Sequence, residues 1–372
     1  MRRGRVRERR RRFRGGRVLL AVLIVFLYLI LFPRGFSAEL LIQRRWSRSL
    51  AAEAEDRSPE APAGALRAGE ALPFELSGYF GFIDARGNFL YRGRSLFGVA
   101  LDRERFANYS RISETTVVQG RDGSLLQRIP SRGYPVLEAG RTLIFAPDGR
   151  SLSEWSPEEG LLWERSFPAL LTDLDVRGES ISLAFLDGSI GLLVEGGGRI
   201  LRFEPRGSRV EVTYGVAGNA DSSRVAAISG LDPQRITVLE SSSNGLTPVQ
   251  QLELEEEYRR PVFMEFVTPE LLVVEQPTGA LLVNTSDGSS RRLSLGGPVS
   301  RVDYLETPEL IGLIRASAET VRREQVLYLI RPDGRRVVER HLGRESSTIG
   351  FIGDTLILGR GNYLLGLGLE EG

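Results

Sequence analysis

Short apolar stretches alternate with turns over residues 75–372, and no helical apolar stripe persists there. The stretches are rich in Val, Ile, Leu, Phe and Tyr, and the turns between them are rich in Gly and Asp. Such a pattern is typical of strands and hairpins, because successive side chains of a strand point to opposite faces. It predicts an all-β domain over residues 75–372.

The hairpin turns recur at a nearly constant interval. One series is centred on Arg86, Asp122, Glu159, Gly197, Asn244, Asp287 and Asp333. Five intervals separate Asp122 from Asp333, which gives a mean spacing of about 42 residues, and each interval holds a second apolar hairpin. A four-stranded unit repeated at this spacing predicts a β-propeller, because stacked blades bury one another and a closed ring protects their edges.

The length of the domain predicts about seven four-stranded blades, with eight as the alternative. The first hairpin, residues 79–92, has no inner strands before it. The last strands, residues 355–369, have no obvious outer partner after them. We therefore expect the two ends of the domain to share one blade and to close the ring.

The stretch Ser-Pro-Glu-Glu-Gly-Leu-Leu-Trp-Glu at residues 156–164 resembles the repeat of PQQ-type β-propellers, a group related in architecture to WD-type repeat proteins. In that repeat an apolar strand precedes a glycine turn, and the next strand carries an aromatic residue. Residues 84–91 and 121–126 are weaker copies. The resemblance implies a propeller fold, and Trp155, Trp163 and Tyr91 are then expected to pack between blades.

The chain also departs from the PQQ-type pattern. Trp163 follows its glycine by three positions rather than the usual four, and most repeats have no Trp. Quinoprotein enzymes of this fold bind a quinone and a metal, but this chain has no vicinal Cys pair and no recognisable ligand set. The resemblance therefore implies the fold alone, and we expect no cofactor.

The N-terminus predicts a membrane segment. Residues 1–17 hold ten Arg and one Glu, and residues 18–32 carry no charge. A helix of this uncharged length spans roughly 22 Å of a ~30 Å hydrocarbon core, and flanking Arg side chains can reach the headgroups. We predict a basic cytoplasmic tail (1–17), a single transmembrane helix (18–34) and an extracytoplasmic C-terminal domain, following the positive-inside rule.

A cleavable signal peptide is the alternative, with Gly35-Phe36-Ser37 as its cleavage site; either segment would export the domain. Residues 35–74 are predicted to be a juxtamembrane segment and a flexible linker. Residues 38–50 can continue as a helix with Trp46 at the membrane interface. Residues 51–73, rich in Ala, Glu and Pro, have too few large apolar side chains to fold alone.

Composition narrows the chemistry. The chain has no Cys and one His, which excludes disulfides, thiolate metal sites, a Cys nucleophile and a multi-His metal site. All 49 basic residues are Arg, and the chain beyond residue 17 carries a net charge of −8. Because the basic tail directly precedes an apolar run, membrane topology explains it more simply than nucleic-acid binding does, and we expect no nucleic-acid partner.

Two features are candidate sites. Asp173 and Asp175 lie two residues apart on one face of a strand, and they would face the central channel and be weak candidates for a metal site if that strand is innermost. In any other strand they would be solvated blade-edge residues. The longer connections at residues 102–111 and 316–325 are candidate binding loops.

These observations predict a non-enzymatic, membrane-anchored β-propeller that acts as a protein-binding scaffold in the cell envelope. Its partners would be the cytoplasmic membrane and envelope proteins. The alternative is an exported enzyme, or a binder of a small molecule or metal, that uses the central channel. The sequence does not indicate the ligand, the partner or the oligomeric state.

Overall fold

The computed structural model describes residues 40–51, 70–110, 112–307, 309–316 and 324–371. The described residues between Ile42 and Leu369 form one compact unit. In the described ranges the regular elements are 31 strands, arranged in eight antiparallel sheets. The predicted all-β architecture is therefore confirmed.

The chain enters the fold through β1, which belongs to the last blade, and then forms the blades in order. The first strands are β1 (Leu40–Ser49); blade 1 with β2 (Ala71–Leu76), β3 (Tyr79–Asp84) and β4 (Phe89–Arg94); blade 2 with β5 (Gly98–Leu101), β6 (Arg105–Tyr109), β7 (Thr116–Gly120) and β8 (Leu125–Ile129); and blade 3 with β9 (Tyr134–Glu138), β10 (Arg141–Phe145), β11 (Ser151–Ser156) and β12 (Gly160–Ser166).

The remaining blades repeat the same meander. They are blade 4 with β13 (Leu171–Arg177), β14 (Ser180–Phe185), β15 (Ile190–Val194) and β16 (Arg199–Phe203); blade 5 with β17 (Val210–Gly218), β18 (Arg224–Leu231), β19 (Arg235–Ser242) and β20 (Gly245–Glu253); blade 6 with β21 (Met264–Phe266), β22 (Leu271–Gln276), β23 (Gly279–Asn284) and β24 (Ser290–Ser294); blade 7 with β25 (Val299–Leu305), β26 (Leu310–Ala316), β27 (Gln325–Ile330) and β28 (Arg336–Gly343); and blade 8 with β29 (Ser347–Ile352), β30 (Thr355–Arg360) and β31 (Tyr363–Glu371).

The predicted count of about seven blades is wrong. The described ranges form eight blades, which is the alternative count, and the two ends of the domain do not share one: the first hairpin lies in blade 1 and the last strands lie in blade 8. The fourth strand of blade 8 is β1, which pairs with β31. The segment expected to continue as a helix is thus a strand, because its backbone completes a sheet that the C-terminal strands leave open.

No helix in the described ranges is long and apolar enough to cross a membrane. The predicted transmembrane segment, residues 18–34, and the basic tail before it lie outside those ranges. Two strands, β1 and most of β2, fall inside the segment assigned to the linker, residues 35–74.

Blade 1 has three strands in the described chain, and its innermost strand runs opposite to that of blade 8. The β2–β3 turn lies beside the connection into β29, since Ser77 Oγ is 2.8 Å from Ser346 Oγ and donates a hydrogen bond to Gly361 O at 2.8 Å. In a four-stranded blade, the turn between the first and second strands lies on the face of the ring opposite the connections that enter the blades. Strand β2 therefore corresponds to the second strand of the other blades.

The hydrophobic core is divided among the seams between blades. Leu143 and Leu152 of blade 3, for example, form one buried cluster with Ile181, Leu183 and Leu193 of blade 4. Each sheet buries both faces against its neighbours, so its strands are apolar on both sides. The innermost strands line a channel in which polar residues can face one another.

Candidate functional site

The innermost strand of blade 4 brings three charged side chains to the channel. Asp173, Asp175 and Arg177 occupy alternate positions of β13, so their side chains share one face of the strand. β13 begins the sheet order of blade 4 and packs against β17, the innermost strand of blade 5. The two aspartates of the predicted site therefore lie on an innermost strand.

Both aspartates bind the backbone of the next blade. Asp173 Oδ2 accepts a hydrogen bond from Val216 N at 3.0 Å, and Asp175 Oδ2 accepts one from Gly218 N at 2.7 Å. A Cβ atom at Gly218 would lie 2.9 Å from Ser182 Oγ, so a larger residue at this close approach of β17 to blade 4 would displace the serine side chain. The carboxylates act as hydrogen-bonded clamps across the seam between blades 4 and 5.

Arg177 connects this pair to blade 6. Its Nε atom lies 3.2 Å from Asp175 Oδ2, and its Nη2 atom lies 3.5 Å from Glu265 Oε1 on β21. Both carboxylates favour the charged guanidinium, and together they raise the pKa of Arg177 although burial opposes them. One arginine thus faces carboxylates from two blades.

Burial raises the pKa of two carboxyl groups in the channel, Asp173 and Glu265. Burial raises the pKa of Asp173 to about 6, although hydrogen bonds from Val216 N and Leu174 N favour the ionised form. Burial also raises the pKa of Glu265 to about 7, against the attraction of Arg177. Near neutral pH these two groups lie closer to their protonation midpoints than ordinary surface carboxylates do.

A second clamp of the same kind joins blades 7 and 8. Asp303 Oδ2 accepts a hydrogen bond from Phe351 N at 2.7 Å, and its Oδ1 accepts one from Tyr304 N at 2.9 Å. Burial raises the pKa of this carboxyl group too. Sequence reasoning missed Asp303 and Glu265, and the available signal was a single acid in each of these innermost strands.

A cavity of about 430 Å³ opens beside the first clamp. Its polar lining includes Asp173, Asp175, Arg260, Glu275 and Ser300. Glu275 is buried, and it forms an ion pair with Arg260. The cavity therefore combines fixed carboxylates with one guanidinium, a lining that suits a small polar or cationic molecule.

No cluster of three or more His, Asp or Glu side chains is placed to hold a metal ion within the part of the chain that the structure describes. The side chain of the single histidine, His341, is 62% exposed, and its Nδ1 atom lies 2.8 Å from Glu324 Oε1. The weak metal candidates Asp173 and Asp175 are in the channel, where both carboxylates accept backbone hydrogen bonds.

Trp163 lies across the seam between blades 3 and 4. A Cβ atom at Gly197, in the turn before β16, would be 2.5 Å from the Trp163 ring, so the indole rests directly on a glycine. The ring Nε1 donates to Glu154 Oε2 at 2.6 Å, and Arg141 holds that carboxylate with two further hydrogen bonds of 2.7 Å. This contact gives the indole both an apolar face and a polar partner.

The other two predicted packing residues lie at neighbouring seams. Tyr91 stacks near Phe106 of blade 2, with ring centroids 4.5 Å apart, and its ring lies 3.0 Å from the Cβ position of Gly123. Trp155 packs with the buried residues of blade 2 that include Val118, and its Nε1 donates to Ser153 Oγ at 2.9 Å.

Trp46 makes the same contact as Trp163, at the seam between blades 8 and 1. Its ring lies 2.6 Å from the Cβ position of Gly87, and its Nε1 donates to Ala85 O at 2.8 Å. The expectation that Trp46 lies at a membrane interface is thus wrong. The sequence signal for this packing was an aromatic residue in the outermost strand of a sheet. Trp46 precedes a polar spacer, and this position hid the signal.

Exposed apolar side chains occupy the connection between β4 and β5 and the connection between β6 and β7. Leu96 is 73% exposed, Phe97 is 49% exposed and Ile112 is 86% exposed. Asn108 ties the first connection to β6: its Oδ1 accepts from Leu96 N at 3.0 Å, and its Nδ2 donates to Arg94 O at 2.9 Å. We call Leu96, Phe97 and Ile112 the loop patch.

The two predicted binding loops are only partly loops in the structure. Residues 105–109 of the first form β6, and Asp102 accepts hydrogen bonds from Arg105 at the start of that strand. Residues 317–323 of the second lie outside the described ranges. Leu96, Phe97 and Ile112 lie outside both predicted loops, before β5 and after β6.

Similar proteins share this architecture. The computationally designed Ika8 protein has a crystal structure that matches 81% of this chain and 93% of its own at a TM-score of 0.60 and 12% identity. The crystal structure of BamB from Moraxella catarrhalis matches 88% of this chain and 100% of its own at a TM-score of 0.57 and 11% identity. At these identities the likeness shows the fold alone.

Sequence comparison agrees with the fold. An uncharacterized protein of Treponema pallidum (strain Nichols) is 26% identical over 254 residues, which cover 68% of this chain and 67% of that protein. A family model described as a beta-propeller protein matches residues 11–338. The predicted propeller is therefore confirmed, and the chain belongs to this β-propeller family.

Proposed function

We propose that the chain is a non-enzymatic β-propeller scaffold that binds proteins in the cell envelope. The observation that carries this proposal is the loop patch, which presents Leu96, Phe97 and Ile112 to solvent on a closed ring of sheets. Grouped apolar side chains on a surface mark contact sites, and loops held by a rigid scaffold commonly carry binding. The turn glycine and indole of Gly160–Trp163 support a PQQ-like repeat as the unit of this scaffold.

The sequence supports a location at the cytoplasmic membrane with the propeller on its far side. Residues 1–17 are strongly basic, and an uncharged apolar run follows them directly. This charge distribution favours a cytoplasmic N-terminus. A C-terminal alkaline phosphatase fusion should be active in intact cells, whereas a C-terminal fusion active only in the cytoplasm would contradict this location.

Cross-linking tests the loop patch directly. The full-length chain, cross-linked in intact cells and purified, should recover a defined set of envelope proteins. Leu96→Asp and Ile112→Asp should each reduce that recovery about tenfold, because a charge in a desolvated contact is costly. Leu186→Asp is the matched control, since Leu186 is 45% exposed on a loop of blade 4. Equal recovery with all three variants would refute the proposal.

A second candidate function, binding of a small cationic molecule, is favoured by the cavity of about 430 Å³ beside Asp173 and Asp175. Calcium chloride is a simple probe of this site. It should raise the melting temperature of the parent chain but not that of Asp173→Asn if the carboxylates bind cations. An identical shift in both proteins would remove this candidate.

A further inference from the structure

A second cavity of about 430 Å³ opens at the seam between blades 6 and 7. It lies on the face of the ring that holds the first turn of each blade, opposite the loop patch. Its lining includes Thr268 and Glu270 from the first turn of blade 6, Glu309 from the first turn of blade 7 and Asp333 from the last turn of blade 7. We call this cavity the seam pocket.

At two other seams an arginine crosses to the next blade on this face. Arg105, the first residue of β6, donates from Nη1 to Thr142 Oγ1 of blade 3 at 3.0 Å. Arg224, the first residue of β18, donates from Nη1 to Thr285 Oγ1 in the last turn of blade 6 at 2.6 Å. A guanidinium group therefore joins two blades near their turns at each of these seams.

Blade 6 has an apolar residue at the corresponding position. Leu271 is the first residue of β22, and its half-buried side chain lines the seam pocket. A leucine side chain cannot donate a hydrogen bond to blade 7. The corresponding leucine of blade 7, Leu310, is fully buried. The seam pocket thus lies where the seam between blades 5 and 6 holds a guanidinium group.

The charge of the lining favours a cation. Glu270, Glu309 and Asp333 contribute three carboxylates, and Arg291 is the one basic side chain among the described lining residues. In the part of the chain that the structure describes, the carboxylates of Glu270 and Glu309 accept no hydrogen bond. A bound donor can therefore use both of them.

A guanidinium group suits this lining better than an ammonium group does. A guanidinium is planar, forms paired hydrogen bonds with carboxylates and stacks on aromatic rings. The seam pocket provides carboxylates from both blades and the half-buried ring of Tyr304. Its volume also lies within the range of ~300–1,000 Å³ that is typical of small-molecule sites.

We propose that the seam pocket binds a small molecule that carries a guanidinium group. The group would lie between Leu271 and the last turn of blade 7, with Glu309 and Asp333 as acceptors. It would take the place that Arg224 has at the preceding seam. The inference is independent of the proposed scaffold function, and the seam pocket shares no residue with the loop patch or with the cavity beside Asp173.

Calorimetric titration of the full-length chain tests the proposal. The probe is L-argininamide. The matched control is L-citrullinamide, which has nearly the same shape and keeps the α-ammonium group but carries a neutral urea in place of the guanidinium. We expect L-argininamide to bind one site per chain with a dissociation constant of about 1 mM or below, and L-citrullinamide to bind at least about tenfold more weakly.

Variants of the chain locate the site. Glu309→Gln and Glu270→Gln should each weaken binding of L-argininamide at least about fivefold, because each removes a carboxylate from the lining. Glu306→Gln, in the same turn as Glu309 but outside the lining, should change it less than about twofold. Asp173→Asn should leave it unchanged, because Asp173 lines the other cavity.

Leu271→Arg tests the comparison between seams. An arginine at this position would cross to blade 7 as Arg224 crosses to blade 6, so it should abolish binding of L-argininamide. Leu271→Met keeps an apolar side chain of similar volume and should keep the affinity of the parent. Melting temperatures check the fold of both variants, and the exposed substitutions at Glu309 and Glu270 test the site even if Leu271→Arg does not fold.

Three outcomes overturn the inference. They are no binding of L-argininamide, equal binding of L-citrullinamide, and full binding by both Glu309→Gln and Glu270→Gln. Loss of binding in Asp173→Asn alone would place the cation in the channel, which would support the second candidate function and refute this inference. None of these results would affect recovery of envelope proteins through the loop patch.

Discussion

Blade 4 is joined to its two neighbours in different ways. Toward blade 3, the ring of Trp163 rests on Gly197 beside a cluster of buried aliphatic side chains. Toward blade 5, Asp173 and Asp175 accept backbone hydrogen bonds from β17. One seam therefore depends mainly on apolar area, and the other adds ionisable clamps.

The outer ends of the two seams differ in the same way. At the seam between blades 4 and 5 the position of the aromatic ring is taken by Arg199, whose Nη2 donates to Ser243 O at 2.6 Å. Gln250 donates similarly to Gly288 O, at 3.1 Å, between blades 5 and 6. Long polar side chains can thus replace the aromatic contact at a turn. The comparison predicts that the apolar seam is strong at every pH, whereas the carboxylate seam varies with protonation.

Removal of the indole should have the largest effect. Trp163→Ala deletes the contact of a large, partly buried ring and leaves a gap over Gly197, so we expect a loss of about 3–4 kcal/mol in the free energy of unfolding. Urea denaturation of the full-length chain measures this change. Trp163→Phe should lose less, because an aromatic ring remains and Arg141 still binds Glu154. A loss below about 1 kcal/mol would contradict the prediction that the seam between blades 3 and 4 depends mainly on apolar contact.

The glycine beneath the indole gives the next largest effect. Gly197 has a φ of +87°, and an added Cβ would lie 2.5 Å from the Trp163 ring. Gly197→Ala should therefore cost about 2–4 kcal/mol from backbone strain and displacement of the ring. Gly196→Ala is the matched control: its φ is +60° and nothing lies within 4 Å of its Cβ position. Gly196→Ala should lower the free energy of unfolding only through backbone strain, by about 1–2 kcal/mol. Equal losses in the two variants would show that the Trp163 ring is not held against the turn.

The carboxylate seam should depend on pH. Asp173 titrates near 3.8 in the unfolded chain and near 6 in the folded chain. Between those values the folded state retains a proton that the unfolded state has lost, so the free energy of unfolding falls as the pH rises. Asp173→Asn keeps an acceptor for Val216 N and removes the charge. The variant should lose this slope and become more stable than the parent by about 1–3 kcal/mol at pH 8, relative to their difference at pH 4.

A carboxylate outside the channel provides the opposite control. Hydrogen bonds from Ser124 lower the pKa of Asp122, so its stabilising contribution is lost as the pH falls. Urea titrations at a series of pH values compare Asp173→Asn with Asp122→Asn. Slopes that change in the same direction in both variants would show that burial does not govern Asp173.

The repeated strands could be predicted from the sequence because each hairpin is local. Turns and apolar runs within about 42 residues contain the signal for a blade. The choice between seven and eight blades could not be made from the sequence, because β1 pairs with β31 at the other end of the chain. Such a pairing leaves no local trace, and the apolar run before β1 favoured a helical continuation instead.

The same difference between local patterns and long-range contacts applies to the residues of the channel. Asp173 and Asp175 stand two residues apart in one strand, so their pattern was visible. Glu265 and Asp303 come from blades 6 and 7, and only ring closure brings their strands to the channel. The pKa of each group depends on burial by other blades, which no local pattern records. Seams and channels of a propeller are therefore less predictable than its hairpins.

The polar contact at the outer end of the carboxylate seam should contribute least. The Arg199 side chain is 44% exposed, so water replaces its bond to Ser243 O when the chain unfolds. Arg199→Gln should reduce the free energy of unfolding by less than about 1 kcal/mol. Arg209→Gln, at a side chain 75% exposed, is the control in the same urea series. If Arg199→Gln instead costs as much as Trp163→Ala, polar and aromatic contacts at the turns are equivalent, and the seams of blade 4 differ only in their pH dependence.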